Sequence, residues 1–95
     1  MRTFLRSIDE ASLRRLCELS MLTHAETDIL ASLCSRRQDM NFIADKHNIS
    51  VSTLHRRVRQ AVKKVRFRLG IRRGFSEAEI IDRVEEALAR EEDPK

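Results

Sequence analysis

HNISVSTLHRRVRQAVKKVRFR, residues His47–Arg68, decides the fold of this chain within its first four positions. Asparagine is one of the few residues besides glycine that tolerate the left-handed backbone of a sharp turn. His47-Asn48 therefore predicts the end of a short helix. Ile49, apolar among polar neighbours, is expected to drop into a core. Ser50 can cap the next helix through its hydroxyl. Ala44, just upstream, is small enough to let two helices cross closely. That order of roles predicts a helix-turn-helix.

The helix after Ser50 is predicted to run to about Leu69. On a wheel of 100° per residue, Val51, Leu54, Val58, Ala61, Val62, Val65 and Leu69 share one arc. Arg56 lies nearly opposite, flanked by Ser52, Arg59, Gln60 and Lys63. His55, Thr53, Arg57 and Lys64 fall on the borders. One face is expected to be core, and the other is cations and hydrogen-bond donors. Phe67 departs from this pattern, because it falls on the polar side.

The charge of this stretch is unusual for a solvated helix. Residues 1–50 carry seven Lys/Arg and seven Asp/Glu; residues 51–74 carry nine cations and no acid; residues 75–95 carry three cations and eight acids. The whole chain is +4, so one segment holds the positive field and the acidic tail opposes it. A solvated face ordinarily mixes signs, with Glu placed to pair with Lys or Arg. Here like charges repel along one helix, and a polyanion would relieve that repulsion. Nucleic acid binding is the expectation, and a plain solvated face is the alternative.

Outside this stretch, S-x-x-E signals at Ser7/Glu10, Thr23/Glu26 and Ser76/Glu79 predict helix starts. The first helix is predicted from Ile8 to Met21, with Leu13, Leu16, Cys17 and Ser20 in one stripe. A second runs from His24 to Cys34, burying Ile29, Leu30 and Leu33. A short third, Met40 to His47, presents Phe42, Ile43 and Ala44. The last runs from Glu77 to about Arg90 with Ile80, Ile81, Val84, Ala87 and Leu88 at helical spacing. Gly70 and Gly74 bracket a basic link, and EEDPK is expected to fray. The fold class is thus all-α, a small bundle of about five helices. Three parts are expected: an N-terminal helix over 1–21, a helix-turn-helix domain over 22–70, and over 71–95 a basic link with an acidic helix. That helix either folds back toward Phe67 or pairs two subunits into a homodimer.

A chain of 95 residues suits one domain. No apolar run approaches the length of a membrane span, and MRTFLRSIDE has no signal-peptide core, so the cytoplasm is the expected location. Cys17 and Cys34 have no close ligand spacing and are expected to be reduced core thiols. Scattered His24, His47 and His55, no paired carboxylates beside an apolar pocket and no phosphate-binding glycine loop nominate no catalytic residue, metal site or cofactor.

Two segments also carry a family resemblance. LTHAETDIL, Leu22–Leu30, resembles the opening of the LuxR-type DNA-binding domain. FIADKHNISVSTLHRRVRQAVKKVR, Phe42–Arg66, resembles both that domain and region 4 of bacterial sigma factors. The shared pattern is Ile-Ala, then Ser-x-x-Thr-aliphatic, then a basic helix. Ile43, Ala44, Ser50, Thr53, Leu54, Arg57, Ala61, Val65 and Arg66 match it; Ala61 and the following KKVR lean toward the sigma version. Asn48 stands where the family usually has glycine. No segment resembles a receiver domain, an autoinducer-binding domain or the other sigma regions.

The resemblance implies a transcription regulator that binds double-stranded DNA. It places base reading at positions held here by His55, Arg56, Arg59 and Gln60. Arginine can donate two bonds to guanine O6 and N7, and glutamine can pair with adenine N6 and N7. Ser52, Thr53, Arg57, Lys63 and Lys64 are better placed for phosphates, which set register without reading sequence. Arg36 and Arg37 either clamp the backbone from the other side or belong to a solvated loop. The sigma likeness carries a rival implication: an adaptor that docks on RNA polymerase. The acidic tail could also cover the basic helix as a mimic of nucleic acid.

Overall fold

A helix leaves its first amides and last carbonyls without partners, and the ends of this chain's helices follow from what satisfies them. The computed structural model describes residues 2–71 and 74–92, which form six α-helices and no strand. Arg72 and Arg73 of the expected basic link, and Asp93–Lys95 of the expected frayed end, lie outside the described residues. The helix itself continues through Glu92.

The N-terminal part differs from expectation. In place of one helix from Ile8 to Met21 there are two, α1 (Arg2–Ser7) and α2 (Glu10–Leu19). Ser7 ends α1, and the cap of α2 is Asp9, whose extended backbone (φ −71°, ψ 161°) lets its carboxylate accept from the Ser12 amide at 3.2 Å. A carboxylate at a helix N-terminus gains from the helix dipole as well as the hydrogen bond. The Ser12 side chain and amide hold the Asp9 carboxyl below its ordinary pKa. The break also lets α1 fold onto the core, where Leu5 is fully buried beside Leu13, Leu16 and Cys17.

Helix α3 (His24–Leu30) opens on the expected capping box: Thr23 Oγ1 accepts from the Glu26 amide at 3.1 Å, and Glu26 Oε1 accepts from the Thr23 amide at 2.9 Å. It continues through a π-turn over Ala31–Ser35, where Arg36 N–H reaches back to the Ala31 carbonyl at 3.0 Å. Ala31, Ser32, Leu33 and Cys34 are all buried, because α1, α2 and α4 pack around this turn. Helix α4 (Met40–Lys46) is capped by Asp39. Its Ile43 and Ala44 are buried as expected, but Phe42 is 55% exposed and is not part of the core.

The corner forms as the sequence predicts. Asn48 has φ 57°. The Asn48 amide donates to Asp45 O at 3.1 Å, and the Ile49 amide to Ala44 O at 3.0 Å. This bond pair closes a helix through a left-handed residue. Ile49 packs against the core, and Ser50 Oγ accepts from the Thr53 amide at 3.1 Å to start α5 (Val51–Leu69). Leu54, Val58, Ala61, Val65 and Leu69 are buried, and Gly70, at φ 67°, ends the helix.

Helix α6 (Glu77–Glu92) starts at Ser76, whose hydroxyl accepts from the Glu79 amide at 3.2 Å. It folds back across α2 and α5, and Val84 is buried in the common core with Ile80, Ile81, Ala87 and Leu88 packed against it. The chain's own core therefore takes up the apolar stripe of α6. The helix comes back to the end of α5 where Phe67 lies, and Phe67 lines a cleft with Arg83, Glu86 and Ala87 of α6, but its ring is not covered and stays 89% exposed. The Cα radius of gyration, 13.4 Å, is that of a single domain of this length. Cys17 and Cys34 are buried thiols, and burial pushes the Cys17 thiol up to about 11.

Candidate nucleic-acid interface

Burying the Val/Leu arc of α5 turns its opposite side to solvent. Ser52, His55, Arg56, Arg57, Arg59, Gln60 and Lys63 are all exposed. Arg56, Arg57, Arg59 and Lys63 make no hydrogen bond or ion pair among the described residues. At 1.5 Å per residue, Arg56 to Lys63 spans about 10 Å of a rod about 28 Å long. The acidic helix α6, packed on α2 and the buried side of the bundle, leaves these side chains uncovered. His55, Arg56, Arg59 and Gln60, the positions expected to read bases, thus share one accessible side, with His55 at its edge. Thr53 is half-buried in the first turn, where its hydroxyl accepts from the Ser50 hydroxyl at 2.9 Å.

Two of the expected phosphate ligands, Lys64 and Arg36, are exposed but paired with acids of the fold. Lys64 Nζ lies 2.8 Å from Glu26 Oε1, and the Glu26 side chain is only 13% exposed. Burial pushes the Glu26 carboxyl up, but Lys64 and the Thr23 cap outweigh it and its pKa lies below the ordinary value. Lys64 therefore ties α5 to the start of α3. Arg36 donates from Nε and Nη2 to Glu10, each at 3.3 Å, and Arg14 donates to the same carboxylate at 3.0 Å. Arg14, then Arg36, hold the Glu10 carboxyl below its usual range. Arg37 is exposed, at φ 52° in the turn before α4. Arg68 Nε donates to the Leu19 carbonyl at 3.0 Å.

A cluster that the sequence does not reveal holds the corner from behind. Lys46 Nζ donates to Ser32 Oγ at 2.8 Å and lies 3.6 Å from Asp28 Oδ2, and His47 Nε2 lies 3.0 Å from the same oxygen. Burial raises the Asp28 carboxyl, while the Lys46 charge and then His47 bring it below its ordinary pKa. The end of α4 is thereby fastened to α3 just before Asn48 turns the chain. Glu26 is legible in the sequence as a capping residue; Asp28, nineteen positions from its histidine partner, carries no local signal.

Among the described residues no group of three or more His, Cys, Asp or Glu side chains comes together to hold a metal, and no helix is long and apolar enough to cross a membrane. No family model matches the chain, and neither a curated protein nor a solved structure matches it.

Proposed function

We propose that this chain is a sequence-selective double-stranded DNA-binding protein of transcription regulation that places the outward face of α5 in the major groove. The observation that carries this reading is the exposed row of Arg56, Arg57, Arg59 and Lys63. None of them has a partner among the described residues, and the row follows a left-handed corner at Asn48. A major groove about 12 Å wide admits such a helix. Arg56 and Arg59 read guanine, Gln60 reads adenine, and His55 contacts the edge of the site. Ser52, Thr53, Arg57, Lys63 and Arg37 hold phosphates. Lys64 and Arg36, already paired with Glu26 and Glu10, act as internal struts.

Titration of the chain with random duplex across a salt series tests this reading. Three phosphate-bound cations, Arg37, Arg57 and Lys63, give a log–log slope of about −3, each contributing about −0.9. Lys63→Ala is expected to weaken all duplexes alike and to flatten the slope by about 1. A wild-type slope near zero, or an unchanged slope in Lys63→Ala, counts against the proposal.

A further inference from the structure

Two of the largest apolar side chains at the surface lie in one place. Met21 is 85% exposed and Phe67 is 89% exposed. Both line a cleft of about 830 Å³ between the end of α2 and the C-terminal half of α5, with Leu19 also in its wall. Single exposed apolar residues are ordinary, but two that share one cleft form a patch that needs a reason. The cleft is preformed: Met21 sits at φ 59° in the corner that closes α2, and the Arg68–Leu19 bond pins α5 to that corner. Lys63, Lys64 and Arg68 stand around the apolar centre, and the acid among the lining residues, Glu26, is neutralised by Lys64.

We infer that this cleft docks an acidic amphipathic helix of a partner protein, with apolar residues seated on Met21 and Phe67 and acids facing Lys63 and Arg68. The cleft shares Gln60 and Lys63 with the proposed duplex surface, but its apolar anchors, Met21 and Phe67, have no role in that reading. Charge selects this occupant over a second copy of the chain. In a two-fold contact the same patch meets itself, so Lys63, Lys64 and Arg68 would face their own copies. The chain's own acidic helix cannot serve from a second copy either, because its apolar residues Ile80, Ile81, Val84 and Leu88 are already packed in its own core. A duplex fits less well than a helix, since its phosphates would lie against Met21 and Phe67. Apolar anchors at i, i+3, i+4 and i+7 are what a helix presents to such a cleft.

The probe is a synthetic helical peptide of roughly 15 residues, about four turns, with leucine at those positions and glutamate on its other faces. Wild-type chain is expected to bind it, more weakly as salt rises. Phe67→Ser and Met21→Ser are each expected to lose about tenfold in affinity. Both side chains are exposed, so melting temperature and duplex affinity should stay at wild-type values. The inference is overturned if wild-type chain does not bind the peptide, or binds a scrambled peptide of the same composition equally. It is also overturned if Phe67→Ser leaves peptide affinity unchanged. Loss of duplex affinity in Phe67→Ser would assign the patch to nucleic acid instead. A wild-type dimer in sedimentation that Phe67→Ser converts to monomer would assign it to a second copy.

Discussion

Leu54→Ala is expected to destabilise the fold by about 2–5 kcal/mol, the range for truncating a fully buried leucine. Leu54 has no exposed surface, and it lies in the first turns of α5 where α3 and α4 meet that helix. A domain of this size commonly holds only ~5–15 kcal/mol in total, so the loss is a large fraction of its stability. At ~4–8 °C per kcal/mol for a domain of 60–100 residues, the thermal midpoint should fall by about 8–40 °C, read by circular dichroism. The cost combines the lost transfer of the leucine side chain from water with the cavity left behind in a close-packed core. A fall worth less than about 1 kcal/mol, the level of an ordinary half-exposed site, would mean that α5 is not packed as described.

The opposite separation is expected on the other side of the same helix. Arg56→Ala and Arg59→Ala should each cost about 1–3 kcal/mol on a preferred duplex selected from a random pool, and should relax its sequence preference. Combined, they should remove most discrimination between that duplex and random DNA. Their effect on stability should lie within about 0.5 kcal/mol, because both side chains are exposed and make no internal bond among the described residues. Losing one cation of a like-charged pair at i, i+3 or i, i+4 can even favour the helix by a few tenths of a kcal/mol. Titration of the double variant on the preferred and random duplexes, beside its melting curve, checks both halves. A double variant that still prefers its duplex would show that base reading lies elsewhere.

The parts of this molecule that the sequence reveals are those set by neighbours in the chain. Caps at Thr23, Ser50 and Ser76, the left-handed Asn48, and the apolar arc of α5 each depend on residues within about a turn. The Asp9 break shows the limit of such signals. Ser7 and Asp9 are both acceptable caps, and the choice falls to the one that lets Leu5 reach the core, a tertiary gain no local pattern contains. Phe42 likewise sits one residue from Ile43, and a helix this short buries only part of its surface.

The candidate site was legible to the same degree. Its exposed row follows from the wheel, but which cations remain unpaired does not. Lys64 and Glu26 are 38 residues apart, and Arg36 and Glu10 are 26 apart. Absence of acid along a helix therefore says nothing about acids that the fold brings to it from elsewhere. The exposure of Phe67 on the polar side was visible from the wheel; its pairing with Met21 needed the corner at the end of α2.

Amide chemical shifts of the labelled chain, followed while duplex DNA is added, test the central claim most directly. The account predicts that the largest changes fall on Ser52–Lys63 of α5 and around Arg37, with α1 and the outer face of α6 unmoved. Changes centred on α6, or none along α5 at a duplex concentration that saturates binding, would contradict it.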